Sequence, residues 1–297
     1  MSSLYGSSED DFFLWNPSAE TLFAGAGDDA INTLVDLAEA PQAPDVIYAG
    51  AGDDILFTSH GPNGSLYGGD GNDRFQLQGG SLETSGTLDG GNGIDTLSLQ
   101  HVDTRTTSSN GTEFYVFWDI RLDDGHTDNS LSVWRSNFTI PSSRFEIQSI
   151  ERVIGSAQSD MFFGSDDAET LYGWFGNDVI VGGAGNDKLF GQDGDDFVLD
   201  GDGNDNLFGG AGADTFRLIN DGDVDSIKDF DPLEDVIALE WGATTFDQLS
   251  FSQQEGGSGK VFIRFQDEVL AVNGRVDERG GTPIEVSAFT PEMFSFL

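Results

Sequence analysis

The sequence contains no cysteine and only 13 lysine and arginine residues among 297 positions. The absence of cysteine excludes disulfide bonds, thiolate metal sites and thiol nucleophiles. The opening residues show neither the basic nor the apolar segment of an N-terminal signal peptide. No stretch approaches the ~18 consecutive apolar residues that a membrane-spanning helix needs. Composition alone therefore allows either a cytosolic location or export by a signal elsewhere in the chain.

Basic residues are so few that the 53 aspartate and glutamate residues leave a formal net charge of −40. Self-repulsion of this size opposes a compact state. A disordered chain is nevertheless disfavoured, because 24 phenylalanine and 5 tryptophan residues are too many for a solvated coil. The folded chain therefore needs a cation to neutralise it. The same acidity argues against binding to nucleic acid or to an anionic membrane surface.

A nine-residue repeat runs without gaps through residues 155–217. The unit that begins at Gly182 reads Gly-Gly-Ala-Gly-Asn-Asp-Lys-Leu-Phe. The sixth position is acidic in all seven units, at Asp160, Glu169, Asp178, Asp187, Asp196, Asp205 and Asp214. The eighth position is apolar in all seven, at Phe162, Leu171, Ile180, Leu189, Val198, Leu207 and Phe216.

Each unit combines a glycine-rich turn with a short strand. Six residues rich in glycine suit a turn with unusual backbone angles, and three residues with a central apolar side chain suit a strand with one buried face. One unit cannot bury its apolar residue alone, so the units must stack. We predict an all-β fold, a parallel β-roll in which two units form one coil and like turns stack at roughly 4.8 Å.

This stacking places one acidic side chain above another. Two carboxylates about 5 Å apart repel by roughly 3 kcal/mol at an effective dielectric of ~20. Several such pairs exceed the ~5–15 kcal/mol by which a domain is stable, so the stack needs divalent cations. Oxygen ligands without histidine or cysteine select Ca²⁺. The candidate ligands are Asp160, Asp178, Asp187, Asp196, Asp205 and Asp214, with turn residues Gly176, Gly185, Gly194, Gly203 and Gly212. The alternative is a solvated acidic face.

Residues 1–98 contain the same repeat in a less regular form. Well-formed turns predict a second set of metal ligands, Asp11, Asp29, Asp54, Asp73 and Asp95. Weaker units intervene at Trp15–Phe23, Ala40–Tyr48, Ser59–Tyr67 and Ser81–Asp89. Alternation puts the weak turns on the opposite edge of the roll. We therefore expect ions along one edge of 6–98 and along both edges of 155–217, and a ligand-free edge where a partner docks.

On these residues the chain resembles the RTX (repeats-in-toxin), or hemolysin-type, calcium-binding repeat family, whose unit is Gly-Gly-x-Gly-x-Asp-x-apolar-x. The resemblance implies a parallel β-roll that holds several Ca²⁺ ions between stacked turns. It also implies export by a type I secretion system, and hence a secreted, extracellular or cell-surface location.

The remaining segments are not repeats. Alternating apolar residues in 99–154 predict a small β elaboration between the two rolls. Residues 218–297 resemble the strands that cap RTX blocks in serralysin-type proteins. The last ten residues, 288–297, resemble a type I secretion terminus, although a packed last strand is an equal alternative and both can hold.

No catalytic motif is recognisable. His60, His101 and His126 are the only histidines, and none lies in a His-Glu-x-x-His pattern. Trp15 and Trp174 stand where the repeat normally has glycine. Trp174 and its neighbour Phe175 are expected in an exposed turn, where they either stack on a sugar or protein partner or pack against the next turn.

These features favour a secreted, non-enzymatic calcium-binding protein with a surface, matrix or adhesion role, and a polysaccharide or cell-surface partner. The alternative is a small secreted glycan-active enzyme or carbohydrate-binding module that uses 99–154 or the ligand-free edge. A membrane-active RTX protein is disfavoured, because the sequence has no long apolar segment.

Overall fold

The computed structural model describes residues 3–14, 21–32, 46–58, 65–78, 86–101, 105–107, 113–122, 130–135, 143–254, 260–266, 268–274 and 284–297. The chain divides into two compact units, Met1–Gln158 and Ser159–Leu297. In the described residues of both units, the regular secondary structure consists of short β-strands and, in the second unit, three single 3-10 turns. Among the described residues, no helix is long and apolar enough to cross a membrane.

The first unit contains two sheets of mostly parallel strands. Its strands are β1 Ser3–Tyr5, β2 Phe12–Leu14, β3 Thr21–Ala26, β4 Ala30–Asn32, β5 Val46–Ala51, β6 Ile55–Thr58, β7 Ser65–Asp70, β8 Arg74–Gln78, β9 Gly86–Asn92, β10 Thr96–His101, β11 Arg105–Thr107, β12 Glu113–Arg121, β13 Ser130–Arg135, β14 Ser143–Gln148 and β15 Arg152–Ile154. One sheet has the order β1-β3-β5-β7-β9-β14-β13-β12, with β11 on β12, and the other has the order β2-β4-β6-β8-β10-β15. The pairs β11–β12, β12–β13 and β13–β14 are antiparallel.

The second unit repeats this arrangement. Its strands are β16 Met161–Phe163, β17 Thr170–Phe175, β18 Val179–Val181, β19 Lys188–Asp193, β20 Phe197–Leu199, β21 Asn206–Ala211, β22 Thr215–Leu218, β23 Val224–Phe230, β24 Val236–Leu239, β25 Ser250–Gln253, β26 Lys260–Phe265, β27 Glu268–Gly274 and β28 Phe294–Phe296. Its sheets run β16-β18-β20-β22-β24-β28 and β17-β19-β21-β23-β27-β26-β25. Single 3-10 turns lie at Phe246–Gln248, Val286–Ala288 and Pro291–Met293.

Strand register confirms that two nonapeptides form one coil. Leu171 pairs in parallel with Leu189, and Leu189 pairs with Leu207, so each residue lies beside the residue 18 positions further on. The repeat therefore folds as the predicted all-β parallel roll. Side chains at successive strand positions point to opposite faces, so the eighth residue of every unit faces inward.

The apolar core is one column of side chains from each sheet. In the second unit the seven predicted core residues are each at most 1% exposed: Phe162, Leu171, Ile180, Leu189, Val198, Leu207 and Phe216. The first unit has the equivalent columns Leu22, Ile47, Leu66, Leu88 and Ile147, and Ile31, Leu56, Phe75, Leu97 and Val153, each at most 2% exposed. Burying one such side chain contributes about 1.5–3 kcal/mol, which no single nonapeptide gains alone.

Stacked aromatic rings extend along the strands beside the core residues. Tyr5, Phe23, Tyr48 and Tyr67 form one stack with centroids 4.9–5.2 Å apart. Tyr172, Phe190 and Phe208 form another in the second unit, at 4.6 and 4.4 Å. These stacks repeat at the coil spacing because all the residues occupy the ninth position of their units.

The end of the second unit is closed by antiparallel strands and a phenylalanine cluster. Strand β26 lies between β25 and β27 in an antiparallel meander. Phe251, Phe289 and Phe294 lie with ring centroids 5.6–6.1 Å apart. Strand β28 extends the parallel sheet beside β24. Residues 294–296 are thus a packed last strand, whereas a secretion signal in 288–297 stays a prediction.

Candidate metal centre

The acidic residues at the sixth position of the repeat form two ladders in the second unit. The first is Asp160, Asp178, Asp196 and Asp214, and the second is Glu169, Asp187 and Asp205. Within each ladder, the main-chain N–H of every residue but the last donates to a carboxylate oxygen of the next member, one coil further on, at 2.7–2.9 Å. The ladders lie at the two opposite turns of the coil, since Asp178 precedes β18 of one sheet and Asp187 precedes β19 of the other.

The first unit has one ladder of the same kind, formed by Asp11, Asp29, Asp54, Asp73 and Asp95. Its N–H to Oδ1 distances are 2.7–2.9 Å, although the sequence separations are 18, 25, 19 and 22 residues. The ladder therefore keeps its register while the coils differ in length. The residues that make up the difference fall in 33–45, 59–64 and 79–85, outside the described ranges.

A ladder aspartate that accepts an N–H from the preceding coil uses only one of its two carboxylate oxygens for that bond. Oδ2 is buried and has no hydrogen-bond partner in the described part of the chain at Asp29, Asp54, Asp73, Asp95, Asp178, Asp187, Asp196 and Asp205. These eight residues are at most 2% exposed. An ionised oxygen in such a position carries a large desolvation penalty unless a cation binds it. The unpaired atoms thus mark where positive charge is required.

Burial raises the pKa of the ladder carboxyls far above the ordinary aspartate value. It raises the pKa of Asp178 and Asp205 to about 8, and the pKa of Asp187 and Asp196 to about 7. The hydrogen bond from the preceding coil lowers each pKa and offsets only part of this effect. In the first unit burial likewise raises the pKa of Asp54 to about 7. Without a cation, the ladders would therefore hold protons near neutral pH.

Turn glycines let neighbouring coils approach closely beside the ladders. Gly194 has φ +148°, and a Cβ there would lie 1.7 Å from the carbonyl oxygen of Gly176. Gly203 has φ +127°, and its Cβ would lie 1.6 Å from the carbonyl oxygen of Gly185. Gly212 is crowded in the same way, 2.0 Å from the carbonyl oxygen of Gly194. Only glycine fits there, and it leaves a column of main-chain carbonyl oxygens along the turns.

These donors suit calcium. The ladder supplies one carboxylate per turn, and the turns supply main-chain carbonyls, which are hard oxygen ligands without histidine or cysteine. In the described residues, no group of three or more His, Cys, Asp or Glu side chains gathers around one point. The described residues therefore do not form a zinc-type site built from several side chains. The unpaired Oδ2 atoms and the turn carbonyls would hold the ions.

At the first residue of two ladders, a nearby serine donates hydrogen bonds to the carboxylate. At Asp11, Oδ2 accepts hydrogen bonds from the N–H and the hydroxyl of Ser7, at 2.7 and 2.8 Å. At Glu169, the carboxylate accepts from the N–H and the hydroxyl of Ser165. Asp11 thus lies in line with the other predicted ligands, its second oxygen accepts two hydrogen bonds from Ser7, and its role as a metal ligand stays a prediction.

Three acidic residues outside the nonapeptides extend the ladders, and sequence reasoning did not include them. Glu151 accepts from the N–H of Asp95, Asp225 from Asp205 and Asp235 from Asp214, at 2.7, 3.1 and 3.0 Å. Each lies at or just before the beginning of a strand and has an apolar residue two positions later, as in Asp225-Ser-Ile and Asp235-Val-Ile. This pairing of an acidic residue with an apolar residue two positions later is the strand half of the repeat, and it was the sequence signal that could have identified the three residues.

A further ladder at the fifth position was also missed, and it lies at the surface. Oδ1 of Asp10 accepts from the N–H of Asp28, and Oδ1 of Asp28 accepts from Asp53, at 3.0 and 2.9 Å. In the second unit, Oδ1 of Asn177 accepts from the N–H of Asp195 at 3.1 Å. Because asparagine serves as well as aspartate, this ladder needs a carbonyl-type oxygen rather than a charge.

The ligand-free edge predicted for the first unit cannot be located in the structure. Its turns, 15–20, 33–45, 59–64 and 79–85, lie outside the described residues, as do Trp15 and His60. The same holds for most side chains in 102–146, the alternative site for a glycan-active module. The one-edge placement of ions and both docking sites stay predictions.

The fold and the ladders define a parallel β-roll with an oxygen-donor metal column. The family model "RTX calcium-binding nonapeptide repeat (4 copies)" matches residues 16–34, 43–61, 65–81, 149–180, 175–199 and 181–216. The chain therefore contains RTX calcium-binding nonapeptide repeats, as its resemblance to the hemolysin-type family predicted. No curated protein matches the chain.

Thirty-six chains of solved structures match the protein. One is the AlgE6R3 subunit of the Azotobacter vinelandii mannuronan C5-epimerase, with 27% identity, a TM-score of 0.25, and coverage of 40% of this chain and 72% of that chain. Another is the extracellular lipase LipA of Serratia marcescens, with 18% identity, a TM-score of 0.25, and coverage of 91% of this chain and 45% of that chain. Because both TM-scores are low, the architecture rests on the strand register described above. The likeness of 218–297 to serralysin caps stays a prediction.

Proposed function

We propose that this protein is secreted and folds when it meets millimolar Ca²⁺ outside the cell, where it serves as a surface, matrix or adhesion component. The observation that carries the proposal is the set of buried, unpaired Oδ2 atoms along the aspartate ladders. A fold that places these ionised carboxylates together is stabilised by the bound cation, so metal binding and folding are coupled.

The charge of the chain supports export in the unfolded state. At −40, the chain repels itself and resists collapse until divalent ions bind. Low cytosolic Ca²⁺ then keeps the chain extended for transport, and higher external Ca²⁺ folds it. The type I secretion machinery is the partner that this route requires, and the RTX repeats support that choice. The proposal assigns no catalytic role, since the ladders account for the acidic columns of both units.

A calcium titration followed by far-UV circular dichroism tests the proposal. We expect little β signal in chelator and a cooperative gain with a midpoint around 10⁻⁴–10⁻³ M, the range of extracellular calcium modules. Mg²⁺ at the same concentrations is the control, since it prefers near-ideal octahedral geometry and keeps its water ligands. Equal β signal in chelator and in millimolar Ca²⁺ would contradict calcium-driven folding.

A further inference from the structure

Two residues of the second unit adopt a backbone conformation that normally requires glycine. Trp174 has φ +85° and Gln192 has φ +81°. They pair in register with each other and then with Gly210, which has φ +99°. The equivalent column at the opposite turn contains Gly183 and Gly201. A positive φ is uncommon for any residue with a Cβ and is a true outlier for a bulky one, and such strain collects at functional sites.

The two strained residues lie at one groove. A solvent-open groove of about 360 Å³ is lined by Trp174, Phe175, Gln192, Asp193, Gly210 and Ala211. This is near the lower end of the ~300–1,000 Å³ found for small-molecule sites. The groove has no side chain at Gly210, where a Cβ would lie 2.1 Å from the carbonyl oxygen of Gln192. Because the coils pack too closely for any side chain at this position, that part of the groove stays open.

The lining combines an aromatic corner with hydrogen-bonding groups. The rings of Trp174 and Phe175 lie 4.8 Å apart at 54°, and Phe175 is 42% exposed. The next coil contributes the amide of Gln192 and the carboxylate of Asp193, and Asp193 is exposed. Aromatic faces take apolar ligand surface, and a few polar groups then fix its orientation.

A sugar ring matches this lining better than the other ligand classes. A pyranose has an apolar C–H face that stacks on an aromatic ring, and hydroxyls at its edge that bond to amide and carboxylate groups. An apolar peptide side chain would leave Gln192 and Asp193 without partners. Nucleic acids and uronic acid polymers are anionic, and the exposed carboxylate of Asp193 in the groove repels them.

We propose that this groove binds a neutral hexopyranose unit of a polysaccharide, which stacks against Trp174 and Phe175 and hydrogen-bonds to Gln192 and Asp193. The site goes beyond calcium binding and rests on the proposed function only because it needs the calcium-loaded fold. It supplies a partner class for the surface or adhesion role.

Substitution of Trp174 separates ligand binding from packing. Trp174→Gly restores the residue that the column otherwise uses, so it relieves strain at φ +85°. A binding residue would then lose its ligand while the melting temperature in Ca²⁺ stays equal or rises. A residue retained for packing would instead lower the melting temperature when removed. Gln192→Gly allows the same comparison of ligand binding and melting temperature on the polar side of the groove.

The experiment uses the full chain in millimolar Ca²⁺ and isothermal titration calorimetry. The probes are neutral hexaoses of glucose, mannose and galactose, with a galacturonate hexamer as the anionic comparison. We expect saturable binding of a neutral hexaose and none of the galacturonate. We expect Trp174→Gly and Gln192→Gly to weaken the binding at least tenfold. Leu233→Ala, which truncates an apolar side chain that is 91% exposed outside the groove, is the control and should bind normally.

Three results would overturn the assignment: no binding of any neutral hexaose by folded chain, unchanged binding by Trp174→Gly, or a lower melting temperature of that variant. Circular dichroism of the same samples distinguishes the two proposals. A chain without calcium-dependent β signal contradicts the proposed function, whereas a folded chain that binds no hexaose contradicts the groove assignment.

Discussion

The main-chain N–H of Asp178 donates a 2.8 Å hydrogen bond to Oδ1 of Asp196, one coil further on. Oδ2 of the same Asp196 is buried and has no hydrogen-bond partner in the described ranges. One oxygen therefore fixes the stacking of the coils, and the other is left for a cation. The same arrangement recurs along both units, so the hydrogen bond between coils and the binding of a cation can be separated by mutation.

Asp196→Asn should remove the metal ligand and keep the stacking bond, because the asparagine amide oxygen still accepts from Asp178. In millimolar Ca²⁺ we expect a loss of roughly 1–3 kcal/mol, the penalty for an imperfectly satisfied buried group. The melting temperature should fall by several degrees. In calcium-free buffer we expect no loss of β signal, since a buried charge has been removed.

The matched control is Asp195→Asn, which makes the same change of charge one residue earlier. Oδ1 of Asp195 accepts from the N–H of Ala213 at 2.9 Å, and asparagine fills the same role at Asn177 and Asn204. This variant should melt within about 0.5 kcal/mol of the parent chain, as exposed substitutions usually do. Equal losses in the two variants would mean that total charge, rather than ligation, stabilises the roll.

Gly194→Ala should prevent calcium-dependent folding of the second unit. Its Cβ would lie 1.7 Å from the carbonyl oxygen of Gly176, so the two coils would have to separate. Gly222→Ala is the comparison, because Gly222 also has a positive φ, +90°, but its Cβ meets nothing within 4 Å in the described residues. That variant should lose only the roughly 1–2 kcal/mol of left-handed strain. Calcium titrations followed by circular dichroism measure the folding of both variants. Similar losses of stability in the two variants would contradict a role for close contact between the coils.

Acidification should partly replace calcium. Burial raises the pKa of Asp178 and Asp205 to about 8 in the roll, against an ordinary value of 3.8. A carboxyl whose pKa is higher in the folded roll than in the unfolded chain stabilises the calcium-free roll. This stabilisation is complete below the unfolded-state pKa and is lost as the pH rises through the folded-state pKa of about 8. We therefore expect β signal in calcium-free buffer to increase from pH 8 to pH 5. A flat profile would show that buried carboxylate charge is not what keeps the calcium-free chain unfolded.

The core and the ladders of 155–217 were predictable because an acidic residue recurs at the sixth position of each nonapeptide and an apolar residue at the eighth. The apolar eighth position alone implies a column such as Leu171, Leu189 and Leu207, since a two-unit coil returns to the same place after 18 residues. The continuation at Asp225 and Asp235 was not predicted, because glycine is missing from the usual places of the repeat before these residues and only the strand half of the repeat remains.

Other features depend on the third dimension. The sequence shows that Trp174 stands where the repeat normally has glycine, but the conformation itself, φ +85°, becomes visible only when parallel pairing aligns Trp174 with Gln192. The engagement of Asp11 by Ser7 was likewise not foreseen, since serine occupies an ordinary turn position of its unit. Both features become visible only when neighbouring coils or side chains are placed together.

The position of the ions tests the central claim most directly. In crystals grown with Ca²⁺, we predict anomalous difference peaks beside the buried Oδ2 atoms of the ladders, along both edges of 155–217 and along one edge of 6–98. The peaks should lie between the turn carbonyls and Asp29, Asp54, Asp73, Asp95, Asp178, Asp187, Asp196 and Asp205. Ordered chain with no peak at these oxygens, or calcium bound instead between the turns at 15–20 and 40–45, would contradict the account.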